Sequence, residues 1–364
     1  MEYNNLLAPR TKNIKASAIR ELLKVAANPG MISLAGGLPS PDSFPLDLMH
    51  ELTELVLSKY GAAALQYDTT EGFLPLRKSL LNYVAQKGID CKLENLYITS
   101  GSQGFLDAIG KLLINEGDLI AVEGPTYLAA LQAFNAYGAN YLQIQTDDEG
   151  LIPESLEEIL KLNKIKFVYT VPTFQNPSGK TIGIERRKQI AELIKKYSVL
   201  LIEDDPYSDL RYSGISQPTI KSLATDNVIY VSTISKIFAP GLRIGFFVAP
   251  EYLGRWLVIV KQGVDLNTCT FTQALATEYL NGGYVPNQIK KIIGIYAPKL
   301  NAMLSALQKY FPNGYVWSKP QGGMFVWVEG PNSLDMEEIS KISVDRGVGF
   351  VPGKFFFPNN QDGL

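Results

Sequence analysis

The chain has 364 residues, which is enough for two domains or for one large domain with a smaller one. Its 34 Lys and Arg against 36 Asp and Glu give a formal net charge of -2, with no electrostatic footprint for nucleic acid or an anionic membrane, so both are excluded as partners. No apolar run approaches the ~20 residues of a membrane span and the N-terminus does not read as a signal peptide, which predicts a cytoplasmic protein.

Histidine and cysteine are scarce, which limits the kinds of catalytic and metal site that the chain can form. The single histidine, His50, has no nucleophile elbow to serve, so a Ser-His-Asp triad and a His-based zinc site are excluded. Cys91 and Cys269 are isolated and are predicted to be packing residues rather than a disulfide. No metal site is predicted, and acid-base chemistry falls to lysine, tyrosine or a carboxylate.

The N-terminal segment begins with a predicted amphipathic helix over Ser17–Ala27, with Arg20 off its apolar face. The pair Gly36-Gly37 allows close backbone approach or positive φ. Helices are then predicted over His50–Tyr60 and Leu74–Gln86, and the polar loop between them contains Tyr67.

From Leu96 a pattern of strand, loop and helix repeats. Apolar strands are predicted over Tyr97–Thr99, Leu119–Val122, Lys166–Val171, Val199–Ile202 and Val228–Val231. Amphipathic helices alternate with them, so the pattern predicts a mainly parallel α/β sheet with helices on both faces. Ligands of such sheets bind beyond the carboxyl ends of the strands.

Chemically useful side chains follow the predicted strand ends. They are Ser102 and Gln103, Tyr127, Asn176, Asp204 with Tyr207, and Lys236 with Arg243. The small-residue loop before Ser102 leads into a helix N-terminus, where free N–H groups and the helix dipole favour a phosphate. We expect these loops to form one site.

Beyond Pro250 the pattern changes to helices over Tyr252–Gln262, Thr272–Leu280, Ile289–Lys309 (with a kink at Pro298) and Met336–Asp345, with strands over Tyr315–Trp317 and Met324–Val328. We predict a large α/β domain over residues 46–280. Residues 1–45 and 281–364 are predicted to form a small α+β domain.

The expected site centres on Lys236. Flanked by apolar Ile234 and Ile237 at a strand end, its amine is predicted to be partly desolvated and able to form a Schiff base, although this window alone fits a surface lysine equally well. Asp204 suits a protonated ring nitrogen and the Tyr127 ring suits stacking. Donors for a phenolate oxygen are Asn176 and Tyr207, and groups for a phosphate are Ser102, Thr233, Ser235 and Arg243. This inventory matches pyridoxal phosphate, with Lys236 also moving a proton at the substrate Cα.

Eight segments carry a family resemblance along nearly the whole chain. They are Ser33–Pro39, Leu65–Tyr67, Thr99–Gln103, Gly124–Tyr127, Asn176–Gly179, Glu203–Tyr207, Ser235-Lys236 with Pro240–Gly245, and Phe350–Gly353. With them the chain resembles the fold type I pyridoxal-phosphate aminotransferases of class I/II, within the 2-aminoadipate and kynurenine aminotransferase group. The resemblance implies the large and small domains above and transfer of an amino group from an L-amino acid of 2-aminoadipate, aromatic or branched type to a 2-oxo acid, with 2-oxoglutarate expected.

The resemblance also implies roles for single residues. Lys236 is the Schiff-base lysine, Asp204 the ring-nitrogen partner and Tyr127 the stacking ring. Asn176 and Tyr207 bind the ring hydroxyl, Asn176 also borders the substrate, and Ser102, Gln103, Ser235 and Arg243 lie at the phosphate. In a homodimer, Tyr67 reaches the phosphate of the neighbouring subunit. Arg20 resembles a clamp for a distal carboxylate, with a solvated helix arginine as the alternative, and Gly36 and Gly37 lie beside the substrate.

The chain departs from the family at its C-terminus. Members carry there an arginine that binds the substrate α-carboxylate, whereas this sequence ends at Leu364 and Arg346 does not match the motif. Either the sequence is shortened or another cation serves. Two other functions stay open: a lyase or decarboxylase with the same cofactor and lysine, and a non-catalytic domain of a transcription regulator, although no helix-turn-helix or basic segment precedes Met31.

Overall fold

The computed structural model describes residues 3–14, 30–331 and 334–358. The helix predicted over residues 17–27, and with it Arg20, lies outside these ranges. Within them, no helix combines the length and the apolar character that a membrane crossing requires.

The strands are short. In chain order they are β1 (Ile32–Ser33), β2 (Leu96–Ser100), β3 (Leu119–Glu123), β4 (Asn140–Ile144), β5 (Thr146–Asp147), β6 (Gly150–Leu151), β7 (Phe167–Thr170), β8 (Leu200–Asp204), β9 (Val228–Thr233), β10 (Ile244–Val248), β11 (Val316–Trp317), β12 (Val328–Glu329) and β13 (Val348–Gly349). The helices are α1 (Leu46–Tyr60), α2 (Leu74–Ala85), α3 (Gly101–Leu113), α4 (Leu128–Asn135), α5 (Pro153–Leu162), α6 (Ile184–Lys196), α7 (Ile220–Leu223), α8 (Glu251–Asp265), α9 (Thr270–Asn281), α10 (Val285–Tyr310) and α11 (Met336–Asp345).

Seven strands form the central sheet in the order β2, β10, β9, β8, β7, β3, β4. The pairs from β9 to β4 are parallel, and β10 runs antiparallel between β2 and β9. The predicted mainly parallel α/β sheet is therefore confirmed. Because Gly245 pairs with both Thr99 and Thr233, β10 begins at the edge where β2 and β9 end, which brings Arg243 to that edge.

Both faces of the sheet are buried, as the uninterrupted apolar strands predict. On β2, Ile98 belongs to a core cluster with Leu76, whereas the neighbouring Tyr97 ring stacks 5.0 Å from that of Phe247 in a second cluster. Helices cover each face, so the loops that follow the strands are gathered at the carboxyl edge of the sheet.

Several elements differ from the sequence prediction. Strand β4 was missed because polar Asn140 and Gln143 interrupt its apolar pattern, and β10 was missed because it directly follows the loop at Arg243. Of the strand predicted over Met324–Val328 only Val328 lies in a strand, β12, so the prediction is wrong for residues 324–327. The residues just before them pair with residues 210–212: Tyr212 N–H donates to the Gln321 carbonyl at 2.8 Å and Gly323 N–H to the Leu210 carbonyl at 2.9 Å. Helix α10 contains Pro298 within its span.

Residues 32–33 and the C-terminal segment meet where β1 pairs in parallel with β13. The same C-terminal segment also contacts the loop before α4, where the Thr126 N–H donates to the Phe356 carbonyl at 2.9 Å. The β1–β13 pair supports the predicted small domain, whose boundaries stay a prediction. Both cysteines are free thiols; Cys91 packs against a core cluster as predicted, whereas Cys269 is exposed, so the packing prediction is wrong for it.

Candidate active site

One cavity opens at the carboxyl edge of the sheet. It is lined by Ser102, Gln103, Tyr127, Val171, Asn176, Asp204, Pro206, Tyr207, Thr233, Ser235, Lys236, Pro240 and Arg243. Ten of these side chains were predicted from the sequence to share a site, and the structure brings all ten together. Their roles toward a bound cofactor stay a prediction.

Lys236 lies just beyond the end of β9, between the buried side chains of Ile234 and Ile237. Its Nζ donates a hydrogen bond to the Gly37 carbonyl at 2.8 Å. Burial, and then the nearby Arg243 charge, lower the pKa of Lys236 to about 8. A substantial fraction of the amine is therefore neutral near pH 8, and a neutral amine is the form that attacks a carbonyl.

Asp204 ends β8 and is fully enclosed. Its Oδ2 accepts a hydrogen bond from the Tyr169 hydroxyl at 2.8 Å, while Oδ1 is buried and has no hydrogen-bond partner in the described part of the chain. Burial, and then the Asp205 charge, raise the pKa of Asp204 to about 7. A protonated ring nitrogen in the cavity would supply the donor that Oδ1 lacks, so this carboxylate fits a pyridine ring.

The neighbouring acids have other partners. Glu203 accepts the N–H groups of Ile220 and Lys221 at 2.9 and 2.7 Å. Asp205 accepts from the Tyr230 hydroxyl at 2.9 Å and from Ser208. Since successive side chains of a strand point to opposite faces, Asp204 is the member of this acidic run that lines the cavity.

A cationic cup forms where α3 begins. The first turn of α3 carries Ser102 and Gln103, and the Arg243 guanidinium lies across it with Nη2 3.4 Å from the Ser100 carbonyl. Gly101 permits this approach: its φ is +71° and a Cβ there would lie 2.3 Å from Arg243 Nη2. A guanidinium beside a helix N-terminus favours a phosphate.

Two hydroxyls complete the cup. Thr233 donates to the Ile244 carbonyl at 2.6 Å, and its Oγ1 lies 2.8 Å from Ser235 Oγ and accepts the Ser235 N–H at 3.1 Å. Thr233 thus shapes the loop that precedes Lys236, because its own proton is already donated to the backbone. Gln103 likewise donates its side-chain amide to the Ala129 carbonyl at 3.1 Å.

Polar groups and aromatic rings enclose the remaining walls. Asn176 Nδ2 lies 3.5 Å from the Tyr207 hydroxyl, so both can reach one ligand oxygen. The Tyr207 ring meets Phe325 edge-on at 5.6 Å. Tyr127 precedes α4, and burial raises its pKa to about 12, so its hydroxyl stays protonated.

Three predicted residues lie apart from the cavity wall. Gly37 contacts Lys236 through its carbonyl, and Gly36 is its partly buried neighbour. Tyr67 is 77% exposed and does not line the cavity of its own chain. Arg20 lies outside the described residues.

Sequence reasoning missed two features of the site. Tyr169 donates to Asp204, and its only signal was a tyrosine in a predicted strand. Gly245 was quoted as part of a segment without a reason; a Cβ there would lie 2.3 Å from the Gly101 carbonyl carbon, so Gly245 and Gly101 together permit the contact between β10 and α3.

Comparison with known proteins gives consistent matches. A family model described as aminotransferase class I and II matches residues 41–358. Aromatic-amino-acid aminotransferase 1 of Thermococcus litoralis is 47% identical, over 99% of this chain and 88% of that protein. The structure of Pyrococcus horikoshii kynurenine aminotransferase, in complex with PMP, KYN and KYA, has a TM-score of 0.95 and 44% identity, over 99% of this chain and 91% of the other. LysN, the alpha-aminoadipate aminotransferase of Thermus thermophilus complexed with N-(5'-phosphopyridoxyl)-L-leucine, has a TM-score of 0.93 and 35% identity, over 100% and 92%.

Proposed function

Since this chain belongs to the class I and II aminotransferases and is a pyridoxal-phosphate-dependent enzyme, we propose that it moves the amino group of an aromatic, 2-aminoadipate-type or branched L-amino acid to 2-oxoglutarate. The family, the cofactor and the type of reaction predicted from the sequence are thereby confirmed. The choice of donor is a proposal, supported by the names of the similar proteins and by the L-leucine adduct in one of their structures. 2-Oxoglutarate as the acceptor is a proposal that rests on the family resemblance.

Pyridoxal phosphate, when bound, supplies an aldehyde that takes up the amino group and a ring that withdraws electrons from Cα. Lys236 would hold the cofactor through its amine, and the same amine, when free, would move the proton at the substrate Cα. A neutral amine is needed for both tasks, and burial beside Arg243 favours that form.

The other residues of the cavity would hold and orient the cofactor. Asp204 would accept a hydrogen bond from the ring nitrogen and keep it protonated, while Asn176 and Tyr207 would bind the ring hydroxyl. Arg243, Ser235 and the first turn of α3 would bind the phosphate. The single observation that carries the proposal is that one cavity is lined by both Lys236 and Asp204, whose buried Oδ1 has no hydrogen-bond partner among the described residues.

The test is a panel of amino donors with 2-oxoglutarate. Purified holoenzyme should convert tyrosine, kynurenine, 2-aminoadipate or leucine to its 2-oxo acid only when 2-oxoglutarate is present, with glutamate formed in equal amount. Release of ammonia or carbon dioxide without a 2-oxo acid requirement would instead identify a lyase or decarboxylase. No conversion of any donor would contradict the proposal.

The proposed assembly is a homodimer with shared sites. The observation that supports it is the exposure of Tyr67, with Leu65 beside it 71% exposed. If Tyr67 serves the neighbouring site, a Lys236→Ala chain mixed with a Tyr67→Ala chain should form hybrids with one intact site, and activity should rise on mixing. Activity equal to the mean of the two separate variants would contradict shared sites. The cytoplasmic location stays a prediction.

Arg20 remains our proposed clamp for the distal carboxylate of 2-aminoadipate. Arg20→Ala should raise KM for 2-aminoadipate while KM for leucine stays unchanged, because only the first side chain carries a charge. An equal change for both donors would show that the assignment is wrong.

A further inference from the structure

Tyr169 contacts Asp204 but is not among the residues that line the cavity. It is fully buried on β7, and its ring meets Phe134 edge-on at 5.8 Å. Its hydroxyl donates to Asp204 Oδ2 at 2.8 Å. Tyr169 is absent from the cavity lining, so it acts on a ligand only through Asp204.

This hydrogen bond makes the two carboxylate oxygens of Asp204 different from each other. Oδ2 is engaged by Tyr169, which leaves Oδ1 as the oxygen available to the cavity. Burial and the Asp204 charge raise the pKa of Tyr169 well above its ordinary value, so Tyr169 remains a donor. A donor to a carboxylate favours its charged form, which opposes the effect of burial on Asp204.

We propose that Tyr169 is a positioning residue for the cofactor: its hydroxyl fixes the Asp204 carboxylate in the orientation and charge state that keep the cofactor ring nitrogen protonated. The inference rests on the proposed role of Asp204. The electron withdrawal from Cα depends on that ring proton, so Tyr169 influences the reaction without touching the cofactor or the substrate.

The chain contains a matched control for this hydrogen bond. Tyr230 lies on β9, adjacent to β8, is also fully buried, and donates its hydroxyl to Asp205 Oδ2 at 2.9 Å. Tyr169→Phe and Tyr230→Phe therefore remove the same group, from the same kind of environment, and each leaves one buried carboxylate with a lost donor. Only the first carboxylate lines the cavity.

The experiment loads wild type, Tyr169→Phe, Tyr230→Phe and Asp204→Asn with pyridoxal phosphate labelled with 15N in the ring, and records the 15N chemical shift. In Tyr169→Phe the shift should move toward that of the unprotonated ring, and the dissociation constant for pyridoxal phosphate should rise about tenfold. The value of kcat should fall more than KM changes. Tyr230→Phe should match wild type in the shift and the dissociation constant.

Two outcomes would overturn the inference. Equal effects of Tyr169→Phe and Tyr230→Phe would show a general loss of strand packing. If Tyr169→Phe has the 15N shift and the cofactor affinity of wild type while Asp204→Asn does not, Tyr169 has no positioning role and the role of Asp204 stands. If Asp204→Asn also has wild-type values, neither residue has its proposed role.

If Tyr169→Phe fails to fold, 3-fluorotyrosine incorporated at position 169 provides the second variant. It keeps the ring and makes the hydroxyl a stronger donor, so the ring nitrogen should stay protonated up to a higher pH than in wild type. The same pH midpoint of the 15N shift as in wild type would contradict the inference.

Discussion

Replacing Gly101 by alanine tests how the phosphate end of the site is built. Gly101 has a φ of +71°, and an alanine in a left-handed conformation costs roughly 1–2 kcal/mol. The added Cβ would lie 2.3 Å from Arg243 Nη2, so the guanidinium must retreat by about 1 Å to reach an ordinary contact distance. A charge-assisted hydrogen bond contributes about 1.5–3 kcal/mol, so its loss to the cofactor phosphate would weaken binding by roughly 10- to 100-fold.

Two measurements separate these effects. Urea unfolding of the cofactor-free protein reports the backbone cost, and a titration with pyridoxal phosphate reports the loss at the phosphate. Gly241→Ala is the control, because Gly241 lies in the short turn before Arg243 and, apart from its chain neighbours, no described residue has an atom within 4 Å of the added Cβ. That variant should stay within about 0.5 kcal/mol of wild type. Wild-type stability and affinity in Gly101→Ala would refute the reasoning.

Two further predictions concern ionisation in the cofactor-free protein. The folded-state pKa of Asp204 is raised from 3.8 to about 7, so the folded protein binds this proton more tightly than the unfolded chain and its stability falls as the pH rises between these values. Asp204→Asn should therefore stabilise the protein against thermal unfolding more at pH 8 than at pH 5. An equal gain at both pH values would contradict the raised pKa. Removing the Arg243 charge should raise the pKa of Lys236 above about 8. Acetylation of Lys236, measured by mass spectrometry, should therefore require a higher pH in Arg243→Met than in wild type. An unchanged pH profile would show that burial alone lowers this pKa.

The sequence predicted the sheet and the cavity lining well because both follow from local patterns. Buried parallel strands are continuous apolar runs, and their carboxyl ends necessarily share one edge, so Asp204 and Lys236 could be brought together without coordinates. Arg243 lies at the same edge for a reason that the pattern did not reveal, because it directly precedes the antiparallel strand β10.

The remaining features depend on contacts between distant segments. The hydrogen bond from Tyr169 to Asp204 joins residues 35 positions apart, and the one from Lys236 to the Gly37 carbonyl joins residues 199 apart. Neither has a periodic or compositional signal. The pairing of residues 321–323 with residues 210–212, just before the strand predicted over Met324–Val328, likewise joins segments far apart in the chain.

The most direct test of the account is the site of covalent attachment. Borohydride reduction of the purified holoenzyme, followed by proteolysis and mass spectrometry, should place the phosphopyridoxyl group on the peptide containing Lys236, and Lys236→Ala should lose both the label and the visible absorbance. A label on another lysine, or an unchanged spectrum and turnover in Lys236→Ala, would contradict the central claim.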